Sequence, residues 1–149
     1  MAAETTPSGA LRLILVAHDR QLLDVECDEV QVPGSQGVLG ILPGHTPLIA
    51  ALKVGEVMIR QGRSERYLAL AEGFVEVADD VVTVLTDSAE HPEEIDVEAA
   101  RREAREAEEE LMAAVDAGWV DAQAKLERAT ARIQVAERGL GHGLSERGG

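Results

Sequence analysis

The stretch VVTVLTDSAEHPEEIDVEAARREA, from Val81 to Ala104, carries two different residue patterns on either side of one break. It opens as the last of a series of strand-like segments and closes as the start of a helix. Between them DSAEHPEE, Asp87–Glu94, supplies turn-forming and charged residues around Pro92. The fold class follows from what lies on each side.

Upstream, period two dominates. Leu11, Leu13 and Leu15 alternate with Arg12, Ile14 and Val16; Val30 and Val32 with Glu29 and Gln31; Val57 and Ile59 with Glu56, Met58 and Arg60; Val75 and Val77 with Phe74 and Glu76. Such spacing puts one set of side chains on one face of a strand. Turn signals recur at Pro33-Gly34, Gly37, Pro43-Gly44, Gly55, Gly62, Gly73 and Asp79-Asp80. No helix of useful length fits between them, so nothing carries parallel crossovers, and residues 11–90 are predicted to form an antiparallel sandwich or flattened barrel.

Downstream the period becomes helical. Val97, Ala100, Ala104, Ala107, Leu111 and Ala114 step by three and four residues along one helix side. Asp116-Ala117-Gly118 breaks the pattern, which resumes as Ala122, Leu126, Ala129, Ile133, Ala136 and Leu140, with Gly139, Gly141 and Gly143 expected to end it. Two helices joined by so short a break fold back as an antiparallel hairpin, predicted over residues 91–140. The fold class is therefore α+β. Residues 1–10 are expected to be disordered or extended and residues 141–149 to form a flexible tail.

The seam of that hairpin is mostly alanine. Small side chains let helix axes approach, but an Ala removes far less apolar area from water than a Leu, whose full burial contributes about 1.5–3 kcal/mol. The hairpin is predicted to hold together only marginally, as a moving part would. Its charges lean in opposite directions. The first helix carries Arg101, Arg102 and Arg105 against eight acids, including Glu108-Glu109-Glu110. The second carries Lys125, Arg128, Arg132 and Arg138 against Asp121, Glu127 and Glu137. Exposed pairs of this kind contribute about 0–1 kcal/mol each, and a solvated helix face explains the same charges.

Net charge over the chain is −14, with 28 acidic and 14 basic residues, so its field repels phosphate backbones and anionic lipid. One Phe, one Tyr and one Trp offer no base-stacking surface. Nucleic acid and bare membrane are poor partners. The first ten residues lack a basic, apolar, cleavable leader pattern, and apolar runs such as Leu13–Ala17 are far short of a bilayer span, so any membrane link is expected to go through other proteins. The lone cysteine, Cys27, forms no internal disulfide and reads as a packed strand residue.

No catalytic constellation emerges. Gly34–Gly40 lacks the Lys-Ser/Thr ending and following helix of a phosphate loop. Ser35 is outside a nucleophile elbow, and His18-Asp19 has no nucleophile that the sequence connects to it. His18, His45, His91 and His142 are scattered, without a metal-ligand spacing. Asp79-Asp80 suits a hairpin turn better than an acid–base couple. The sequence predicts neither a catalytic residue nor a metal site.

The run QVPGSQGVLGILPGHTPLIAALKVGEV (Gln31–Val57), followed by YLALAEGFVEV (Tyr67–Val77), VVTVLTDSAE (Val81–Glu90) and the terminal hairpin, closely resembles the epsilon subunit of the bacterial F-type ATP synthase. The similarity covers most of residues 11–138. It implies an N-terminal β-sandwich of about ten strands and a C-terminal helix pair, in agreement with the periodicities. It also implies a non-catalytic rotor subunit on the central stalk of a proton-translocating enzyme, linking the gamma subunit to the c-ring at the cytoplasmic face of the membrane. The segment Gly37–His45 would face the ring, with Val38, Leu42 and His45 as contacts. The helices would regulate ATP hydrolysis by moving between a folded and an extended state. In the latter Arg128, Arg132 and Arg138 would meet acidic segments of the catalytic alpha and beta subunits.

Some relatives bind ATP through Ile/Leu-Asp-x-x-Arg-Ala at the start of the first helix, plus arginines on the second. Here the segment reads Ile95-Asp96-Val97-Glu98-Ala99-Ala100, with Ala99 where the motif has Arg. Asp96, Arg128 and Arg132 match, so a regulatory ATP site would rest on those three, although Asp96 equally suits a helix N-cap. No cofactor is otherwise required. Two competing readings remain: a free-standing sandwich that binds a ligand or protein and dimerises through its hairpin, and, more weakly, an enzyme.

Overall fold

A computed structural model of the chain describes residues 10–148, with side chains described as far as Gly139. The expected disordered or extended N-terminus lies outside the described residues except for Ala10. The chain divides between Ala89 and Glu90 into two compact units.

The first unit contains β1 (Leu11–Ala17), β2 (Arg20–Cys27), β3 (Glu29–Gly34), β4 (Gly37–Ile41), β5 (Leu48–Leu52), β6 (Gly55–Gln61), β7 (Ser64–Leu70), β8 (Gly73–Ala78) and β9 (Val81–Thr86); the two-residue β10 (Ala89–Glu90) straddles the division. One curled sheet runs in the order β2-β1-β9-β8-β5-β3-β6-β7-β10, with β4 pairing β3 from outside that path. It closes over a single core. Leu11, Leu13 and Leu15 of β1, Val30 and Val32 of β3, Val57 and Ile59 of β6, and Val75 and Val77 of β8 are all essentially inaccessible to water, each the inward set of its alternating strand. Cys27 is buried in the same cluster, and burial pushes its thiol up to about 11, which makes it inert.

Two turns explain polar pairs, His18-Asp19 and Asp79-Asp80, in which the sequence shows no catalytic constellation. His18 and Asp19 join β1 to β2 with φ of 51° and 62°, and Asp79 and Asp80 join β8 to β9 with φ of 51° and 63°. Two successive positive φ values make the tight turn whose twist matches antiparallel strands, and Asp tolerates that region better than most residues.

One strand pair departs from expectation. β1 and β9 run parallel, from Arg12 opposite Val81 to Ala17 opposite Thr86. Parallel pairing needs no crossover helix here, because the whole run β2–β8 serves as the connection: curling the sheet brings its first and ninth strands side by side.

The second unit begins with a 3-10 turn, Pro92–Glu94, followed by α1 (Val97–Ala113) and α2 (Gly118–Gly148). Asp96 is the N-cap of α1, its Oδ1 accepting from the Ala99 N–H at 3.0 Å. Ala100, Ala104 and Ala107 of α1 and Ala122, Ala129 and Ala136 of α2 are buried, as the three-four stepping required. The helical backbone runs past Gly139, Gly141 and Gly143, although the glycines predict an end there and a flexible tail beyond it. Glycine lowers helix propensity by about 1 kcal/mol but stops a helix only when it turns left-handed, and none of the three does so. Gly139 is there for space: a Cβ at that position would run into the ring of Pro92.

Candidate functional site

The outer face of the sheet carries an apolar stripe. Phe74 on β8 lies opposite Leu85 on β9, and Ile49, opposite Glu76, falls on the same face of neighbouring β5. All three are well exposed, at 58%, 51% and 74%. β1 continues the stripe with Val16, opposite Leu85, and Ile14, opposite Thr83. Leaving three large apolar side chains in water on one patch of sheet is unfavourable for a solitary chain and marks a contact surface.

An open groove of about 430 Å³ crosses this stripe, lined by Ala51, Leu52, Glu72, Gly73, Phe74, Leu85, Thr86 and Asp87. Its floor depends on Gly73. A Cβ there would collide with the Leu85 carbonyl oxygen and come within 2.8 Å of Thr86 Cα, so only glycine lets β8 lie this close to β9. The Thr86 hydroxyl, 3.0–3.1 Å from the carbonyl oxygens of Ala71, Glu72 and Ser88, ties the end of β9 to the turn before β8.

Gly37–His45 is less of a loop than expected, since β4 occupies Gly37–Ile41. Val38 and Leu42, four residues apart on one side of that strand and its continuation, are 71% and 52% exposed. The turn beyond is pinned. The Gly44 N–H donates to Asp80 Oδ1 at 2.7 Å, the His45 N–H to the Leu42 carbonyl at 3.1 Å, and His45 Nδ1 lies 2.7 Å from the Thr46 carbonyl oxygen. That last contact fixes the proton on Nδ1.

Within the helical unit the ion pairs cross the hairpin. Lys125 Nζ meets Glu110 at 2.9 Å, Arg101 meets Glu137 at 3.4 Å, and Arg132 meets Glu103 at 3.6 Å. Arg132 also forks onto Glu90, at 2.8 Å from Nε and 3.2 Å from Nη2. Of the residues assigned to a possible nucleotide site, Asp96 therefore spends one oxygen on its helix cap and Arg132 is held by two carboxylates. Arg128 is exposed, and it has no ion pair among the described residues. Arg138 is exposed on the same helix. Among the described residues no group of three or more His, Cys, Asp or Glu is placed to hold a metal, and no helix is long and apolar enough to cross a membrane.

Residues 10–92 match the model of the ATP synthase delta/epsilon chain β-sandwich domain, and residues 93–137 that of the delta/epsilon long α-helix domain. The chain belongs to the ATP synthase delta/epsilon family. It is 45% identical over 131 residues to ATP synthase epsilon chain 2 of Syntrophotalea carbinolica, covering 87% of this chain and 95% of that one. It is 43% identical over 129 residues to the epsilon chain of Myxococcus xanthus, covering 85% and 94%. A chain in the Euglena gracilis mitochondrial ATP synthase has the same fold at a TM-score of 0.76 and 24% identity, with 89% of this chain and 83% of that one covered. One in the central stalk and c-ring of the Tetrahymena thermophila enzyme matches at 0.62 and 14%, covering 88% and 99%. Epsilon chains are non-catalytic subunits, and this chain is one by membership.

Sequence reasoning missed Ile49, Phe74 and Leu85. The signal was available: each is a large apolar residue at the solvent parity of an alternating strand, where Glu76 and Thr83 show what a free surface carries.

Proposed function

We propose that this chain works as a rotor part of the synthase, seated on the gamma subunit through the stripe of Ile49, Phe74 and Leu85, with Val38, Leu42 and His45 turned to the c-ring. The exposed stripe supports the seat, because its burial against a shaft removes apolar area that the chain alone leaves in water. The short links that pin Gly44 and His45 support the second contact, since a surface that transmits torque must not yield. The location that follows is peripheral, on the cytoplasmic face of the membrane, held there by the assembly.

The hairpin is the regulatory element. Its buried seam, seven alanines and Val135 among the described residues, gives two arrangements a small energy gap, the condition for a switch. Extension toward the catalytic subunits would present Arg128 directly, whereas Arg132 must first leave Glu90 and Glu103. The same pairs stand between Arg132 and any phosphate, so a regulatory ATP site on Asp96, Arg128 and Arg132 requires those pairs to open. Calorimetric heat from ATP and the isolated chain would show that they do, and no heat at millimolar ATP would count against the site.

Phe74→Asp tests the seat. The variant should keep its β-sheet circular dichroism and fail to co-purify with gamma; retention on the complex would refute the assignment. Truncation after Glu94 tests regulation, with an unchanged ATPase rate in the assembled complex counting against it.

A further inference from the structure

The connection between α1 and α2 has no role in the reading above. Met112, at 89% exposure, Val115 at 77%, Val120 at 61% and Trp119 at 50% all fall within residues 112–120. They span the last turn of α1, the connection, and the first turn of α2. A hairpin bend free in water is normally polar, and this one presents four large apolar side chains in succession.

The charge around them has one sign. From Arg105 to Lys125 there is no intervening basic residue, but six acids: Glu106, Glu108, Glu109, Glu110, Asp116 and Asp121. Of these only Glu110 has an ion-pair partner among the described residues, Lys125 at 2.9 Å. The bend is thus an apolar knob in an acidic collar of which five of six carboxylates have no ion-pair partner among the described residues.

We propose that this knob is a protein-docking surface whose partner is a basic amphipathic segment, with apolar side chains that cover Met112, Val115, Trp119 and Val120 and Lys or Arg that meet the collar. Charge complementarity selects that occupant. A second copy would bring one acidic collar against another, and an anionic lipid surface would be repelled in the same way. Trp119 is the anchor, since a large amphipathic ring buried at the centre of a contact carries the most binding energy.

Trp119 is also the only tryptophan of the chain, so its fluorescence reports on the knob directly. The full-length chain is titrated with an amphipathic helical peptide of Leu and Lys, with its Leu and Glu counterpart, and with phosphatidylcholine vesicles. The Lys peptide should shift Trp119 emission to the blue, with an affinity that falls as salt rises, while the Glu peptide and the vesicles leave it unmoved. Met112→Ala combined with Val120→Ala should weaken that binding about tenfold at unchanged helical content. The proposal is overturned by no shift with the Lys peptide, by an equal shift with the Glu peptide or vesicles, by dilution-sensitive emission of the chain alone, or by wild-type affinity in the double variant. None of these arms needs the gamma subunit, so failure of the rotor reading leaves the result interpretable.

Discussion

The sheet unit and the helical unit solve the burial problem with different side chains. In the sheet, Leu11, Leu13, Leu15, Ile41, Ile59 and Leu68 are all but fully removed from water, together with valines from four strands. In the hairpin the buried residues are Ala100, Ala104 and Ala107 against Ala122, Ala129, Ala131 and Ala136, with Val135 as the one branched side chain buried on the two helices among the described residues. Each buried Leu contributes about 1.5–3 kcal/mol, and each Ala methyl less than about 1 kcal/mol. The comparison teaches that rigidity and adjustability are written in side-chain volume. A body that must carry load is filled with branched residues, and one that must change arrangement is only lightly zipped.

The largest effect expected from breaking this contrast is Leu13→Ala, which leaves a cavity in the sheet core at a cost of about 2–5 kcal/mol. Cys27 provides the readout, because a buried thiol with a pKa raised to about 11 resists alkylation until the sheet opens. Alkylation should begin at a lower urea concentration in the variant, while the Trp119 signal of the hairpin holds its wild-type midpoint. Equal displacement of both signals would mean that the two units do not melt separately.

Next in size is Gly139→Ala. On an open helix this exchange stabilises by about 1 kcal/mol. Here the added methyl enters the ring of Pro92, and an overpacked contact costs about 1–3 kcal/mol, so a net loss of far-ultraviolet helical signal on heating is expected. Pro92→Ala in the same chain should restore it, and a Gly139→Ala variant more stable than wild type would refute the packing role.

Smaller again is the fork of Arg132 on Glu90, a partly buried pair with side-chain exposures of 24% and 32%. Glu90→Gln should cost the hairpin roughly 1 kcal/mol, less in high salt. A double-mutant cycle with Arg132→Gln isolates the pair, and a coupling near zero would show that the seam holds without it.

The smallest effect is a pH dependence that separates the units. In the sheet, the Arg12 hydrogen bond holds the Asp24 carboxyl below its ordinary value, and the Arg60 hydrogen bond does the same for Glu29. Carboxyls lowered by folding stabilise above their ordinary values, 3.8 and 4.5, and lose that contribution as the pH falls through the folded values. In the hairpin, the Glu110 hydrogen bond raises the Lys125 ammonium above 10.5. Its contribution is present below that value and is lost as the pH rises through the folded one. Urea midpoints should therefore drop for the sheet in acid, lost in part by Glu29→Gln, and for the hairpin in alkali, lost in part by Lys125→Gln.

Much of this was legible in the residues. Alternation at Leu11–Val16 and Val75–Val77 marked strands with one inward face, and the three-four spacing from Val97 to Ala136 marked two helices with a small-residue seam. Asp96 announced a cap, and Asp79-Asp80 a turn. These are local statements, in which backbone geometry and side-chain period meet within a few residues. Val38 and Leu42 came only from the resemblance to the epsilon subunit, and both are exposed. The pairing of Arg132 with Glu90 was not legible, because it joins positions 42 apart in the chain.

The sequence by itself determined the two kinds of secondary structure, the break between them, the contrast between branched and alanine cores, and the family, because each depends on short-range spacing or on residue order. Only the tertiary structure decided that β1 runs parallel to β9, that Ile49, Phe74 and Leu85 form one stripe, and that Gly73 and Gly139 are required for close approach. Those facts depend on which distant strands and turns become neighbours when the sheet curls and the hairpin closes, and a one-dimensional pattern carries no distances between them.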